Sequence, residues 1–239
     1  MSRTCVGLAF AMLALCTACT PNESTAEAER STAEKAVTAR EPETGLTPVS
    51  VLIAHRVNDY DTWKRVFDDH VEARENASCS GHYLKRGVDD TAMIYVYCPA
   101  TDEGRLRAFL DSEDLADTMM RAGVEGQPSV TVMRLASRNL VSGQMLPGII
   151  MMHSVNDYGA WRVAYDGLED FRLQSGIVGH AVGRKLDDPN YLVVYHQAQN
   201  LADLRAFVDS AELNTLMQSA GALVDLEIHF IRVVGFESY

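Results

Sequence analysis

Beyond residue 49, apolar positions along this chain follow two rhythms. Val51-Leu52-Ile53-Ala54-His55-Arg56-Val57 is a short apolar run that predicts a strand. Polar Asn58-Asp59 follow. Trp63, Val66, Phe67, His70, Val71 and Arg74 then recur three and four apart, the buried stripe of a helix running to Ala77. Gly81 opens a second strand over residues 82–88, Asp89-Asp90 make a turn, and residues 93–98 form the third strand of a hairpin. Residues 102–110 and 114–122 read as helix ending at Gly123, and residues 130–135 as the last strand. The order is β-α-β-β-α-β, the ferredoxin-like arrangement.

The third strand is apolar on both faces, with Met93, Tyr95 and Tyr97 on one and Ile94 and Val96 on the other. Both faces must therefore be covered, and the unit's own helices can cover one only. The cover is encoded further along. His55-Arg56-Val57-Asn58-Asp59-Tyr60-Asp61-Thr62-Trp63 recurs as His153-Ser154-Val155-Asn156-Asp157-Tyr158-Gly159-Ala160-Trp161, Tyr60 becoming Tyr158 at an offset of 98. The offset holds without a gap from Ser50/Gly148 to Leu135/Val233. Such a repeat predicts two α+β units in tandem whose sheets pack on each other as an internal pseudo-dimer.

Several motifs occur in both copies: Val-x-Asp-Tyr-x-x-Trp after the first strand, Gly81-His82, Asp89-Asp90, Arg107-Ala108-Phe109-x-Asp111-Ser112 and Ala122-Gly123. Together they resemble the antibiotic-biosynthesis-monooxygenase-like members of the dimeric α+β barrel superfamily. The resemblance covers essentially everything beyond residue 49. It implies an α+β fold of two ferredoxin-like units closing one intrachain barrel, where two chains usually make it. For function it implies a choice among cofactor-free quinone-forming monooxygenases, haem-degrading monooxygenases and members without known activity.

The first 48 residues differ in kind. Arg3 precedes an apolar run from Val6 to Leu15, too short to span a bilayer, as in a secretory signal. Leu15-Cys16-Thr17-Ala18-Cys19 resembles the lipobox of bacterial lipoproteins, with Cys19 lipidated and Cys16 where Leu usually stands. The competing reading is an ordinary cleaved signal. Residues 20–48 are rich in Ala, Glu, Thr and Ser without aromatics, a composition that predicts a disordered tether. The expected organisation is signal 1–18, tether 19–48, first unit 49–137, linker 138–147 and second unit 148–239. The expected address is the bacterial cell envelope, lipid-anchored and facing the periplasm. The net charge of −12, with no Lys/Arg cluster, argues against nucleic acid.

Export leaves Cys79 and Cys98 as the thiols of the mature chain, and two thiols in an oxidising compartment predict a disulfide. Pairing Val88 with Thr91 around the turn sets Cys98 opposite Gly81, two residues from Cys79 and within a loop residue's reach.

His55 and His153 sit mid-strand, and alternation puts His55 on the face of Ile53 and Val57. There it either orients or deprotonates a phenolic ligand, or is a neutral core histidine with both nitrogens satisfied. His82 and His180 share a strand face with Arg86 and Arg184. Each pair either holds an anionic or phenolic ligand, or joins a loop-bonded histidine to an arginine paired with an acid. Trp63, Trp161, Tyr97 and Tyr195 are the aromatics for lining a flat ligand's cavity, although an aromatic on a helix's buried stripe is ordinarily packing. Asp89-Asp90 and Asp111-Ser112 read as turn and cap residues. No His-x3-His or carboxylate-triad spacing marks a metal, and no phosphate loop or nucleophile elbow occurs.

The expected protein is a monomeric pseudo-dimer, open to further self-association, that touches a membrane through its lipid only. Its partner is a small apolar or aromatic molecule, and no cofactor is expected. If it is an enzyme, the resemblance implies cofactor-independent monooxygenase chemistry with His55 or His153 taking a phenolic proton. The rivals are a binding or interaction lipoprotein without turnover and, more distantly, a haem-binding or haem-degrading protein.

Overall fold

The computed structural model describes residues 49–219, 221–222 and 225–239. The expected signal and tether, and Cys19 as the expected lipidation site, lie outside the described residues. The first unit comprises β1 (Val49–Val57), α1 (Tyr60–Asp69), α2 (Val71–Asn76), β2 (Gly81–Gly87), β3 (Met93–Ala100), α3 (Glu103–Leu110), α4 (Glu113–Arg121) and β4 (Val124–Asn139). The second comprises β5 (Pro147–Ser154), α5 (Tyr158–Gly167), α6 (Glu169–Gln174), β6 (Ile177–Lys185), β7 (Tyr191–Ala198), α7 (Leu201–Val208), α8 (Ala211–Ser219) and β8 (Glu227–Ser238).

All eight strands close into one antiparallel barrel in the order β1-β3-β2-β8-β5-β7-β6-β4. The units meet at two seams, β2 on β8 and β4 on β6, so neither sheet keeps a free edge. The doubly apolar third strand finds both covers. Ile94, Val96 and Cys98 pack under the helices with Val51, Ile53, Trp63 and Leu106. Tyr95 faces the barrel interior with Leu52, Ala54, Met133, Ile150, Met152, Val193 and Ile231, drawn from both units.

Capping follows the sequence. Asp59 Oδ1 accepts from Thr62 N at 2.8 Å and Asp157 Oδ1 from Ala160 N at 2.6 Å, while Ser112 Oγ caps α4 through Leu115 N at 3.1 Å. Asp89 and Asp187 lie in hairpin turns and also reach the opposite unit, pairing with Arg205 and Arg107 at positions again 98 apart. All four side chains are substantially exposed, so these pairs add little stability and mainly fix register.

Three boundaries differ from the sequence reading. The helix expected to reach Ala77 breaks at His70 (φ −96°, ψ 21°), and its counterpart breaks at Leu168. At each break an arginine on the next turn, Arg74 or Arg172, donates through Nη1 to the carbonyl of Phe67 or Tyr165. The strand expected over 130–135 runs from Val124 to Asn139, because Ser137, Arg138 and Asn139 continue onto β6 at the seam. The β2–β3 hairpin is one residue out of the expected register, with Tyr83 opposite Tyr97 and Arg86 opposite Ile94. Val88 does not pair across the turn. Its N–H bonds to Phe230 O of β8 instead, and the loop widens to residues 88–92.

Candidate functional site

On the helix side of the first sheet lies a cavity of about 50 Å³. Its floor is Val51, Ile53, Val96 and Cys98, and α1 supplies Trp63 and Phe67. Leu106, Phe109, Leu115 and Met119 come from α3 and α4. The polar groups on the wall are few: His55, His70, Arg74, Thr118 and the two thiols. An apolar hollow with a small number of convergent polar groups is the usual form of a small-molecule site.

His55 is 5 % exposed, and neither ring nitrogen has a protein hydrogen-bond partner. Its ring lies 5.6 Å from Trp63, which stacks at 5.0 Å on Phe67. Burial pushes the imidazole down from its usual 6.5 to about 4, so it is neutral at physiological pH. A neutral imidazole offers one donor and one acceptor, and leaving either unmet costs about 1–3 kcal/mol. His55 thus differs from the satisfied core histidine considered from sequence.

Arg74 is 4 % exposed and donates to Phe67 O and, at 2.6 Å through Nε, to the hydroxyl of Tyr239. That hydroxyl, having accepted from arginine, donates its own hydrogen to His82 Nδ1 at 2.7 Å. His82 is therefore the loop-bonded histidine of the two readings, and its ring packs edge-on against Phe67 at 4.9 Å. Burial first, then the charge of Arg74, lowers it to about 4. His70 closes the rim through a 2.7 Å contact with Asp114.

The expected His/Arg ligand pairs do not form. Arg86 reaches Thr91 O at 2.7 Å and covers the Tyr60 ring at 4.2 Å, holding the widened turn. Arg184 repeats this with Pro189 O at 2.9 Å and Tyr158 at 3.7 Å. Tyr97 and Tyr195 are absent from the cavity wall as well, because they face the barrel interior. There Tyr97 Oη bonds Ser50 Oγ at 2.8 Å, and both rings flank the Lys85 ammonium at 5.4 Å. Lys85 is 7 % exposed, and burial lowers its amine to about 8. Its three aromatic neighbours, with Tyr83 the third, take the place of a carboxylate. Gly148, the counterpart of Ser50, is required here: a Cβ would sit 2.4 Å from the Tyr195 ring.

Cys79 and Cys98 are free thiols on the cavity wall, not the expected disulfide. The shift of register is confined to residues 83–86: Cys79 stands opposite Ala100, the pairing expected from sequence, and so diagonal to Cys98, yet the two sulfurs are not bonded. The thiols still meet: the hydrogen bond with Cys98 lowers Cys79, and the same bond together with burial raises Cys98.

The second unit fills the corresponding space. Tyr165 replaces Phe67, stacks on Trp161 at 4.7 Å, and brings its hydroxyl within 3.2 Å of His196 Nε2. Leu168 and Leu216 stand where the first unit has His70 and Thr118. His153 is 1 % exposed inside this closed core, also lowered to about 4 by burial. Nothing in the structure explains its two unpaired nitrogens. His180 lies beside Tyr165 at 5.9 Å, outside that core. The repeated histidines and tryptophans therefore do different work, and the cavity belongs to the first unit.

Sequence reasoning placed Arg74 on the buried stripe but gave it no role. A cation on a buried stripe in both copies, as Arg74 and Arg172, was the available signal. Tyr239 had none, since 165 positions separate it from Arg74.

Among solved structures, an anthrone oxidase-like protein superposes with a TM-score of 0.61 at 13% identity, covering 81% of this chain and 94% of its own. The chain has the dimeric α+β barrel fold. A candidate monooxygenase from Lactobacillus acidophilus NCFM matches with a TM-score of 0.56 at 10% identity, covering 81% and 97%. A ferredoxin-fold protein from Listeria monocytogenes, described as related to antibiotic biosynthesis monooxygenases, gives 0.51 at 6% identity, covering 80% and 96%. At such identities the likeness is one of fold. No protein-family model and no curated protein matches the sequence.

Proposed function

We propose that the protein binds a small, largely apolar, aromatic ligand in the first-unit cavity, with His55 as the group that orients it. The observation that carries this reading is a buried imidazole without a protein partner on the wall of an apolar hollow. A ligand hydroxyl or amide would meet one ring nitrogen and recover the cost of leaving it bare. A cavity of about 150 Å³ accommodates benzene, so a ring needs more room than the 50 Å³ present. Phe109 and Met119, both half-buried, are the wall side chains free to give it.

Oxidation of that ligand is the second reading, favoured by the name of the anthrone oxidase-like neighbour. In the cofactor-free form a methylene flanked by aromatic rings becomes a carbonyl, O2 takes the four electrons, and water leaves. His55 would receive the phenolic proton. At about 4 its basicity is far below that of a phenolate, so proton transfer is uphill and binding is the better supported role. Haem does not fit, because the cavity is far too small for a tetrapyrrole.

Isothermal titration with phenol and benzamide tests the reading. Binding to the native chain is expected, and His55→Phe should weaken it about tenfold by removing one buried hydrogen bond. Failure of both probes to bind, or equal binding to the variant, contradicts it.

The proposal extends to location: a lipid on Cys19 holds the barrel at a periplasm-facing membrane. The small residues Thr17-Ala18 before Cys19 and the short apolar run Val6–Leu15 support this. Cys19→Ala is expected to move the protein from the membrane to the soluble fraction, with Cys16→Ala leaving it anchored. The reverse outcome would assign the lipid to Cys16.

A further inference from the structure

We infer that the ligand of the first-unit cavity is a carboxylate, its charge met by Nη2 of Arg74. The inference rests on the binding role proposed above and adds the chemical class. Arg74 lines the cavity, is 4 % exposed, and spends Nε and Nη1 on Tyr239 and Phe67. Nη2 is buried without an acceptor. Among the described residues no carboxylate lies within ion-pair distance of this guanidinium. The Phe67 ring at 3.8 Å and the Tyr239 ring at 5.6 Å give partial compensation only.

A buried cation without a counter-charge is costly, and one removed from a pair is costlier still than the pair itself. An arginine cannot lower that cost by losing its proton. A carboxylate is already ionised near pH 7, whereas a phenol is neutral, so only the acid brings the missing charge. With one free donor on the guanidinium, the acid is held through a single oxygen, which leaves its apolar body against Trp63, Phe67 and Leu106. In the second unit Arg172 keeps the matching bond to Tyr165 O but lines a different and smaller hollow, of about 30 Å³, with Glu169 and His180 on its wall.

The test compares benzoate with benzamide, which has the same shape without the charge, by isothermal titration of the full chain near pH 7. Benzoate is expected to bind about tenfold more tightly, the usual advantage of a charge-assisted bond over a neutral one. Arg74→Gln should abolish that preference, so that the variant binds benzoate no more tightly than benzamide, and Arg172→Gln should leave it intact. The native comparison alone decides should the Arg74 variant fail to fold. Benzamide binding as tightly as benzoate overturns the inference and leaves the binding role standing. That result is also the one expected if the neighbouring Cys79 thiol supplied the charge as thiolate. Neither compound binding overturns both.

Discussion

Acidification from pH 6.5 to 4 is expected to unfold the barrel, and His55 and His153 should account for much of the loss. Burial lowers both imidazoles from 6.5 to about 4. In the unfolded chain they take up protons near 6.5. Between these values only the unfolded state is protonated, so stability falls as pH falls, is unaffected above 6.5, and stops falling below about 4. Each histidine then removes about 3 kcal/mol by pH 4. Two of them remove about 6 kcal/mol, comparable with the whole stability of many domains. Urea unfolding followed across this range should show the loss, and the double variant His55→Phe/His153→Phe should retain several kcal/mol more than the native chain at pH 4. Equal acid sensitivity in the variant would mean that these rings are not the buried neutral groups described. His82 and His180, also near 4, and His196, which burial lowers well below its usual value, leave a residual slope in the variant.

The first unit on its own is expected to have no stable monomeric form. Residues 49–139 would keep β1, β3 and their helices but lose the partners of β2 and of the far end of β4. Leu52, Ala54, Tyr95 and Met133, buried now against Ile150, Met152, Val193 and Ile231, would face water. Four such side chains are worth on the order of 10 kcal/mol, more than a domain of this size has to lose. A second copy of the fragment restores both seams, with β2 in place of β6 and β4 in place of β8. Analytical ultracentrifugation should therefore find a dimer or insoluble material. A soluble, cooperatively folding monomer would contradict the account of the barrel.

That architecture was legible because its cause is local. A third strand apolar on both faces, from Met93 to Cys98, needs a second sheet, and the copy at offset 98 supplies one. His55 was legible for the same reason: alternation along one strand fixes which residues share its face. The site's other members depend on register between strands, which alternation does not give. His55 stands opposite Ile94, so Tyr97, opposite Leu52, belongs to the barrel interior and not to the cavity. The hairpin slipped by one residue because Val88 found its acceptor on β8. Nothing near Val88 in the sequence announces that partner. Arg74 and Tyr239 meet only after the barrel has closed. Likewise, the divergence of the two units turns on single substitutions, Phe67 to Tyr165 and Thr118 to Leu216, whose effect on a hollow depends on depth rather than pattern.

The most direct measurement of the proposed binding role is histidine-selective ¹⁵N NMR of the native chain titrated with benzamide. The ligand should convert a bare ring nitrogen of His55 into a hydrogen-bonded one, moving that resonance saturably while His153, sealed in the other unit, stays in place. A titration that reaches saturation with the His55 nitrogens unmoved, or that moves His153 instead, would contradict the assignment of the cavity as the binding site.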